Sequence, residues 1–302
     1  MAQIMLKDGG TGQELLRRSS MKPHPLWSAK VLMEEPEIVQ AVHEDFLRAG
    51  AKVLTLNTYS TTPERLAREG AAEMFSPLQQ RAIDLAHAAR EAAGAPGTKI
   101  AACLSPLHGS YRPDMAISVA ELLPLYAEII EAQAEASDLV LAETLSALSE
   151  IEAATRAALD TGLPTWVAVT LKDDGSPTLR SGEPLSEAVA LLKDLAPTGI
   201  MLNCSKPEVI SGNLHLLAEA GLSFGAYGNG FTGIDSLAIG GTADVLAART
   251  DLTPDAYASF AMGWVAAGAC FVGGCCEVGP DHIATLAGAL EAAGHEITGE
   301  NA

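Results

Sequence analysis

The sequence predicts an α/β protein folded as a single-domain (β/α)₈ TIM barrel, and three observations carry that expectation. Eight short apolar runs alternate with longer amphipathic stretches along 302 residues. The runs are nearly continuous in apolar character, as strands covered on both faces of a parallel sheet are. No linker, low-complexity tract or composition break divides the chain, so residues 1–302 read as one domain. Length alone would allow two domains, but α/β barrels of this size fold as one. A doubly wound open sheet is the runner-up, weakened because no Gly-rich dinucleotide fingerprint follows the first strand.

The predicted strands are residues 4–7, 52–57, 99–104, 138–143, 165–171, 199–203, 223–227 and 270–273. Between them, residues 36–49 carry Ile38, Val39, Val42, Phe46 and Leu47 at helical spacing and stop at Gly50. Residues 78–93 form a second helix, ended by Gly94. In residues 118–136, Ser118 and Glu121 can form a capping box, but Pro124 predicts a two-part element. Helices follow at 146–160, 184–195 and 207–220. Thr253-Pro254 is a strong helix start, with Tyr257, Phe260 and Trp264 on one face. The last helix opens near Pro280 and runs to about residue 293. The glycine-rich stretch 228–252 lacks clear periodicity; an active-site cover and a surface excursion are both open.

Composition removes several classes of function. Hydrophobic residues make up 48% of the chain, too many for a disordered protein. With 19 Lys plus Arg against 38 Asp plus Glu and no basic cluster, the net charge of −19 disfavours nucleic acid and anionic membrane surfaces. No apolar run approaches the roughly 20 residues of a membrane span. The start lacks a signal-peptide pattern, and five cysteines are an odd number. Together these favour a reducing cytoplasm, where cysteines serve as core filler, metal ligands or nucleophiles. Oligomeric state stays open.

Chemistry concentrates at the predicted strand ends. Cys204 follows strand six, and Cys275-Cys276 follow strand eight after Gly273-Gly274. In a barrel both places lie at the C-terminal rim, where active sites sit. The two strands are separated by one other, about 10 Å at usual spacing, and inward-leaning loops can bring the thiols onto one ion. Spacing alone leaves a metal site, a redox dithiol and an incidental pair open. Cys103 and Cys270 read as packing. Asp8, Thr58 with Tyr59, and Glu143 end strands one, two and four. Seven histidines include no two-histidine metal spacing; His108 and His282 read as surface or capping residues. No Gly-x-Ser-x-Gly elbow or Walker loop is present.

Six segments occur in the order found in one family. They are Asp8-Gly9-Gly10-Thr11-Gly12-Gln13-Glu14-Leu15, Leu26-Trp27-Ser28-Ala29-Lys30, Asn57-Thr58-Tyr59, Glu143-Thr144, Asn203-Cys204 and Gly273-Gly274-Cys275-Cys276. The chain thereby resembles the homocysteine S-methyltransferases from Asp8 to about His282, and the Leu-Trp-Ser-Ala-Lys run resembles the S-methylmethionine branch more than the betaine branch. The resemblance implies a (β/α)₈ barrel that makes methionine from homocysteine and a small cationic donor. It implies zinc (Zn2+) held by Cys204, Cys275 and Cys276, with Asp8 and Glu143 on the homocysteine ammonium and Thr58 near the amino acid. Two loops depart from the family pattern. They are residues 103–111, and Tyr227-Gly228-Asn229-Gly230 where Tyr-Pro-Asn is common. Both lie near the expected donor pocket.

The implied chemistry is coherent. A free thiol ionises near pH 8.5, so little is thiolate at neutral pH, and zinc lowers that value. Three protein thiolates leave the fourth tetrahedral position open for the substrate sulfur. A sulfonium or quaternary ammonium donor departs neutral, so no general acid is needed. Aromatic faces suit such a cation, and Trp27, Tyr59, Tyr111 and Tyr227 are the candidates. The leading donor is S-methylmethionine or a similar sulfonium. Betaine, dimethylsulfoniopropionate and a corrinoid partner protein are the alternatives. A zinc- or redox-responsive thiol-binding protein is the non-enzymatic alternative.

Overall fold

The computed structural model describes residues 2–300. Eight parallel strands form the barrel: β1 (Gln3–Leu6), β2 (Val53–Thr55), β3 (Lys99–Leu104), β4 (Leu139–Leu145), β5 (Thr165–Val169), β6 (Gly199–Asn203), β7 (Ser223–Tyr227) and β8 (Phe271–Val272). Hydrogen bonding runs in order from β2 to β8 and then to β1. A parallel bridge between Lys7 and Val53 closes the ring, with Asp8 N–H donating to Val53 O at 2.9 Å and Lys52 N–H to Leu6 O at 2.8 Å. A ninth strand, β9 (Glu296–Thr298), pairs with β1 at the bottom of this seam, Gln3 opposite Glu296.

The strands are short because only their inward and helix-facing positions need be apolar, and both faces are covered. Inside the ring, Met5, Val53, Ala101, Leu141, Trp166, Met201 and Phe271 form one cluster. Trp166 and Phe271 meet edge to face at 5.0 Å. A Cβ on Gly199 would stand 2.3 Å from the Trp166 ring, so this strand position must be glycine for the indole to fill the barrel. The larger apolar cluster lies between the sheet and the surrounding helices.

The helices that return the chain between strands are α3 (Pro36–Arg48), α5 (Phe75–Ala92), α6 (Val119–Ala134), α7 (Leu148–Leu159), α8 (Leu185–Leu195), α9 (Pro207–Ala218), α10 (Pro254–Ala266) and α11 (Pro280–Ala292). Three shorter ones, α1 (Thr11–Arg18), α2 (Ser28–Glu34) and α4 (Pro63–Arg68), sit in the loops after β1 and β2. Among the described residues no helix is long and apolar enough to cross a membrane.

Helix α6 corrects one expectation, since Pro124 does not divide it. The capping box forms, with Glu121 accepting from the Ser118 N–H and hydroxyl at 3.2 and 2.6 Å. Pro124 lies on the exposed face just past the first turn, where Ala120, whose carbonyl loses its partner, is also exposed. His282 caps rather than ligates: its Nδ1 accepts from Gly279 N–H at 3.3 Å at the start of α11.

At the start of α7, Glu150 accepts from the Ser146 N–H and hydroxyl at 2.9 and 3.2 Å, and burial pushes its pKa up to about 7. The unfolded value is near 4.5, so the native state holds the proton more tightly. Stability is therefore lost as pH rises from about 4.5 through about 7, by at most about 3 kcal/mol. Glu150→Gln is expected to melt a few degrees above the parent at pH 8 and level with it near pH 4.5. An equal difference at both pH values in thermal denaturation would refute this.

Candidate active site

The loops at the C-terminal ends of the strands surround a cavity of about 140 Å³. The Cys204, Cys275 and Cys276 sulfurs lie within 4.8 Å of one another on its wall. Cys204 and Cys275 are in disulfide contact with Cα atoms 5.7 Å apart, and Cys276 is free. Four-coordinate zinc with thiolates at 2.3 Å places its sulfurs about 3.8 Å apart. Once a two-electron thiol reductant opens the Cys204–Cys275 contact, the cluster offers three soft thiolate donors, with cavity on one side, and this set fits zinc with one position left for substrate. Burial, then Glu277 and Glu143, pushes the Cys276 thiol up to about 12, a cost that a bound cation would offset.

Backbone strain builds this wall. Cys204 has φ +48°, uncommon for a non-glycine residue. Its carbonyl is fixed by Asn229 Nδ2 at 2.9 Å, Thr170 Oγ1 at 3.2 Å and Arg180 Nη2 at 3.3 Å. Thr144, beside Glu143, has φ +63° where the β4–β5 register shifts between Ala142 and Leu145. Asn203 holds it from both sides, accepting from Thr144 N–H at 3.1 Å and donating to its hydroxyl at 2.9 Å. Trp27 and Tyr111 also have positive φ, so four cavity-lining residues share this uncommon feature. Such strain persists only where surrounding bonds over-determine it, and it clusters at functional sites.

Gly273 and Gly274, neither with positive φ, serve close packing. A Cβ on Gly273 would lie 2.1 Å from Lys7 Cγ, and one on Gly274 would lie 2.3 Å from Val278 Cγ1. The pair lets the cysteine loop pack against β1. Tyr257 of α10 braces it, donating to Gly273 O at 2.6 Å and accepting from Gly228 N–H at 3.0 Å.

The two carboxylates differ. Glu143 lines the cavity and accepts from the Tyr227 hydroxyl at 2.9 Å and the Cys103 thiol at 3.4 Å. Burial raises its pKa. Asp8 is fully buried, does not line the cavity, and is saturated by Lys7 Nζ at 3.1 Å, Thr55 N–H at 2.8 Å and the Thr55 hydroxyl at 3.0 Å. Thr58 also turns away, its hydroxyl 3.4 Å from Gln133 Oε1. Trp27, Tyr59 and Tyr111 line the cavity, whereas Tyr227 lies beneath it with Lys7 Nζ 4.5 Å over its ring. The Tyr111 hydroxyl is 2.9 Å from Cys204 Sγ.

Sequence reasoning missed Lys7, Thr11 and Arg65, all of which line the cavity. A lysine ending an apolar strand was the available signal for Lys7, because a buried lysine needs a partner. Thr11 opens α1 with its hydroxyl unpartnered among the described residues. The stretch 228–252 covers the mouth, with Phe231, Leu237, Ala243 and Leu246 facing inward. Arg249 pins it, bonding both oxygens of Glu208 at 2.8 Å.

A closed parallel barrel with three cysteine sulfurs and a buried carboxylate on one cavity is the frame of a small-molecule enzyme. The family model for homocysteine S-methyltransferase matches residues 5–290, and the chain belongs to that family. It is 35% identical to a homocysteine S-methyltransferase of Escherichia coli (strain K12), covering 94% of each chain. It is 28% identical to homocysteine S-methyltransferase YbgG of Bacillus subtilis (strain 168), covering 94% of this chain and 93% of the other. Crystal structures of the E. coli homocysteine methyltransferase MmuM align over 95% of this chain and 96% of theirs. The metallated form does so with TM-score 0.79 at 32% identity, the oxidised form with 0.80 at 31%.

Proposed function

We propose that this protein transfers a methyl group from a small cationic donor, a sulfonium such as S-methylmethionine, to the thiol of homocysteine, forming methionine. The observation that carries the reading is the convergence of three sulfurs and the Glu143 carboxylate on one cavity. Cys204, Cys275 and Cys276 would hold zinc, which supplies a thiolate at neutral pH by lowering the substrate thiol's pKa.

The chain's own residues do the rest. Glu143 is the acceptor for the homocysteine ammonium, because it is the cavity's buried carboxylate without an internal cation bonded to it. Asp8 acts at one remove. It neutralises Lys7, whose Nζ also donates to Gly274 O at 3.0 Å, fixing the cysteine loop against β1. The unpartnered Thr11 hydroxyl and the N-terminus of α1 suit the substrate carboxylate. Trp27 and Tyr59 meet edge to face at 5.8 Å and with Tyr111 give the donor cation aromatic faces. Apolar residues of the 228–252 cover exclude water, so alignment of sulfur, methyl carbon and leaving atom is the main work.

A donor panel with homocysteine tests this: S-methylmethionine, S-adenosylmethionine, dimethylsulfoniopropionate and betaine, with metal analysis of the same preparation. Methionine is expected from a small sulfonium, with close to one zinc per chain. Absence of turnover with every small donor, but turnover with a methylated corrinoid protein, would replace the donor assignment. Metal- or oxidant-dependent partner binding without any turnover would support the thiol-binding alternative.

A further inference from the structure

Arg65 is a cavity-lining cation that the mechanism leaves without a task. It lies in α4, is half-buried and stands in no ion pair among the described residues. Its Nε donates to Leu107 O at 3.4 Å, and its Nη2 donates to Pro106 O at 2.8 Å and lies 3.4 Å from Ser110 Oγ. Its Nη1 takes part in none of these bonds, although a guanidinium offers five donors. The guanidinium sits 5.3 Å from the Tyr59 ring centre, and the Tyr59 hydroxyl is 2.9 Å from Ser110 Oγ.

Its position gives the cavity a polarity. Arg65 and Ser110 line the main cavity and also a smaller cleft that shares lining residues with it and contains Arg68 and Arg112 together with Glu69. Arg112 is paired with Asp114, and Arg68 donates to His108 O at 2.7 Å. The same cavity is lined by the three sulfurs and Glu143. A bare cation on the Tyr59 face would meet the like charge of Arg65 in a partly desolvated site, which costs energy. A ligand that carries an anion on the guanidinium as well as an onium group facing the sulfurs removes that conflict, and a carboxylate matches the guanidinium fork.

We propose that Arg65, with Ser110, reads a carboxylate on the methyl donor and thereby selects zwitterionic onium donors over simple onium cations. The inference rests on the methyl-transfer reading for the word donor, but binding alone can test it. The informative pair is dimethylsulfoniopropionate and trimethylsulfonium, alike in methyl-bearing sulfonium and different in the carboxylate. The readout is the ratio of their kcat/KM values, which a general loosening of the loop would not move.

The parent protein is expected to prefer dimethylsulfoniopropionate. Arg65→Met should cut its kcat/KM roughly 10- to 100-fold, the worth of a charge-assisted hydrogen-bonding pair, and collapse the ratio. Arg65→Lys should recover part of it. Calorimetric binding of dimethylsulfoniopropionate without homocysteine should weaken in parallel. A ratio and an affinity unchanged in Arg65→Met overturn the inference. If no donor turns over, the affinity difference still decides it, and only the methyl-transfer reading fails. Should Arg65→Met fail to fold, Arg65→Gln makes the same comparison, since it removes the charge and keeps amide donors for the Pro106 and Leu107 carbonyls.

Discussion

Cys276→Ser is expected to abolish stoichiometric zinc binding and to lower kcat/KM for methyl transfer by about 10³-fold or more. The argument begins with the donor set. Three sulfurs lie within 4.8 Å of one another, and removing one leaves two thiolates and a hydroxyl that does not ionise in this range. Without the ion, the homocysteine thiol keeps a pKa near 8.5 and is only a few per cent thiolate at pH 7. That accounts for roughly one to two powers of ten; the lost alignment of sulfur and methyl carbon supplies the remainder. Cys270→Ser is the control. Cys270 immediately precedes β8, half-buried, with its thiol 3.6 Å from Phe224 O, and does not line the cavity. It should keep full metal and full turnover. Metal analysis alongside methionine formation checks both variants. A Cys276→Ser protein with a full complement of zinc and normal turnover would remove the three-thiol centre from the mechanism.

How much of this was legible in the sequence follows from what each feature depends on. The eight barrel strands were readable because strands buried on both faces must be apolar almost throughout, as β3 is from Ile100 to Leu104. β9 was not, because Glu296–Thr298 is a short edge pairing with partly exposed side chains and no apolar run. α1 was hidden in the motif at the end of strand one, since Thr11–Arg18 is mostly polar and buries only Gly12, Glu14 and Leu15. The two-part reading of residues 118–136 failed because a proline's cost depends on whether the carbonyl it orphans can reach water.

The cysteines were readable because their place at strand ends fixes their depth in a barrel. Whether a carboxylate faces the cavity was not. Asp8 and Glu143 both end strands, yet only one is consumed internally, and the consuming cation is the neighbouring residue Lys7. Arg65 was equally invisible. Arginines are mostly exposed, and this one is held inward chiefly by groups of the loop after β3, more than forty residues later, and by the Tyr59 ring.

Glu143→Gln should then raise the KM for homocysteine roughly 10²-fold, with a smaller effect on kcat. Truncating the charge of one partner in a buried ion pair costs about 2–5 kcal/mol, and each 1.4 kcal/mol is tenfold. Glutamine keeps the shape and can still accept from Tyr227 through its carbonyl oxygen, so the loss isolates the charge. The three sulfurs themselves are unchanged, which is why binding should suffer more than chemistry. The pH dependence carries a sign of its own. Burial holds the Glu143 pKa above the ordinary glutamate value of 4.5, and the ionised form is the one that accepts the ammonium. As pH falls, kcat/KM for homocysteine should therefore decline from a higher pH than an exposed glutamate would give. In Glu143→Gln that acid limb should vanish, leaving a low, flat profile. A KM within twofold of the parent, or an acid limb that survives the substitution, would show that another group holds the substrate ammonium.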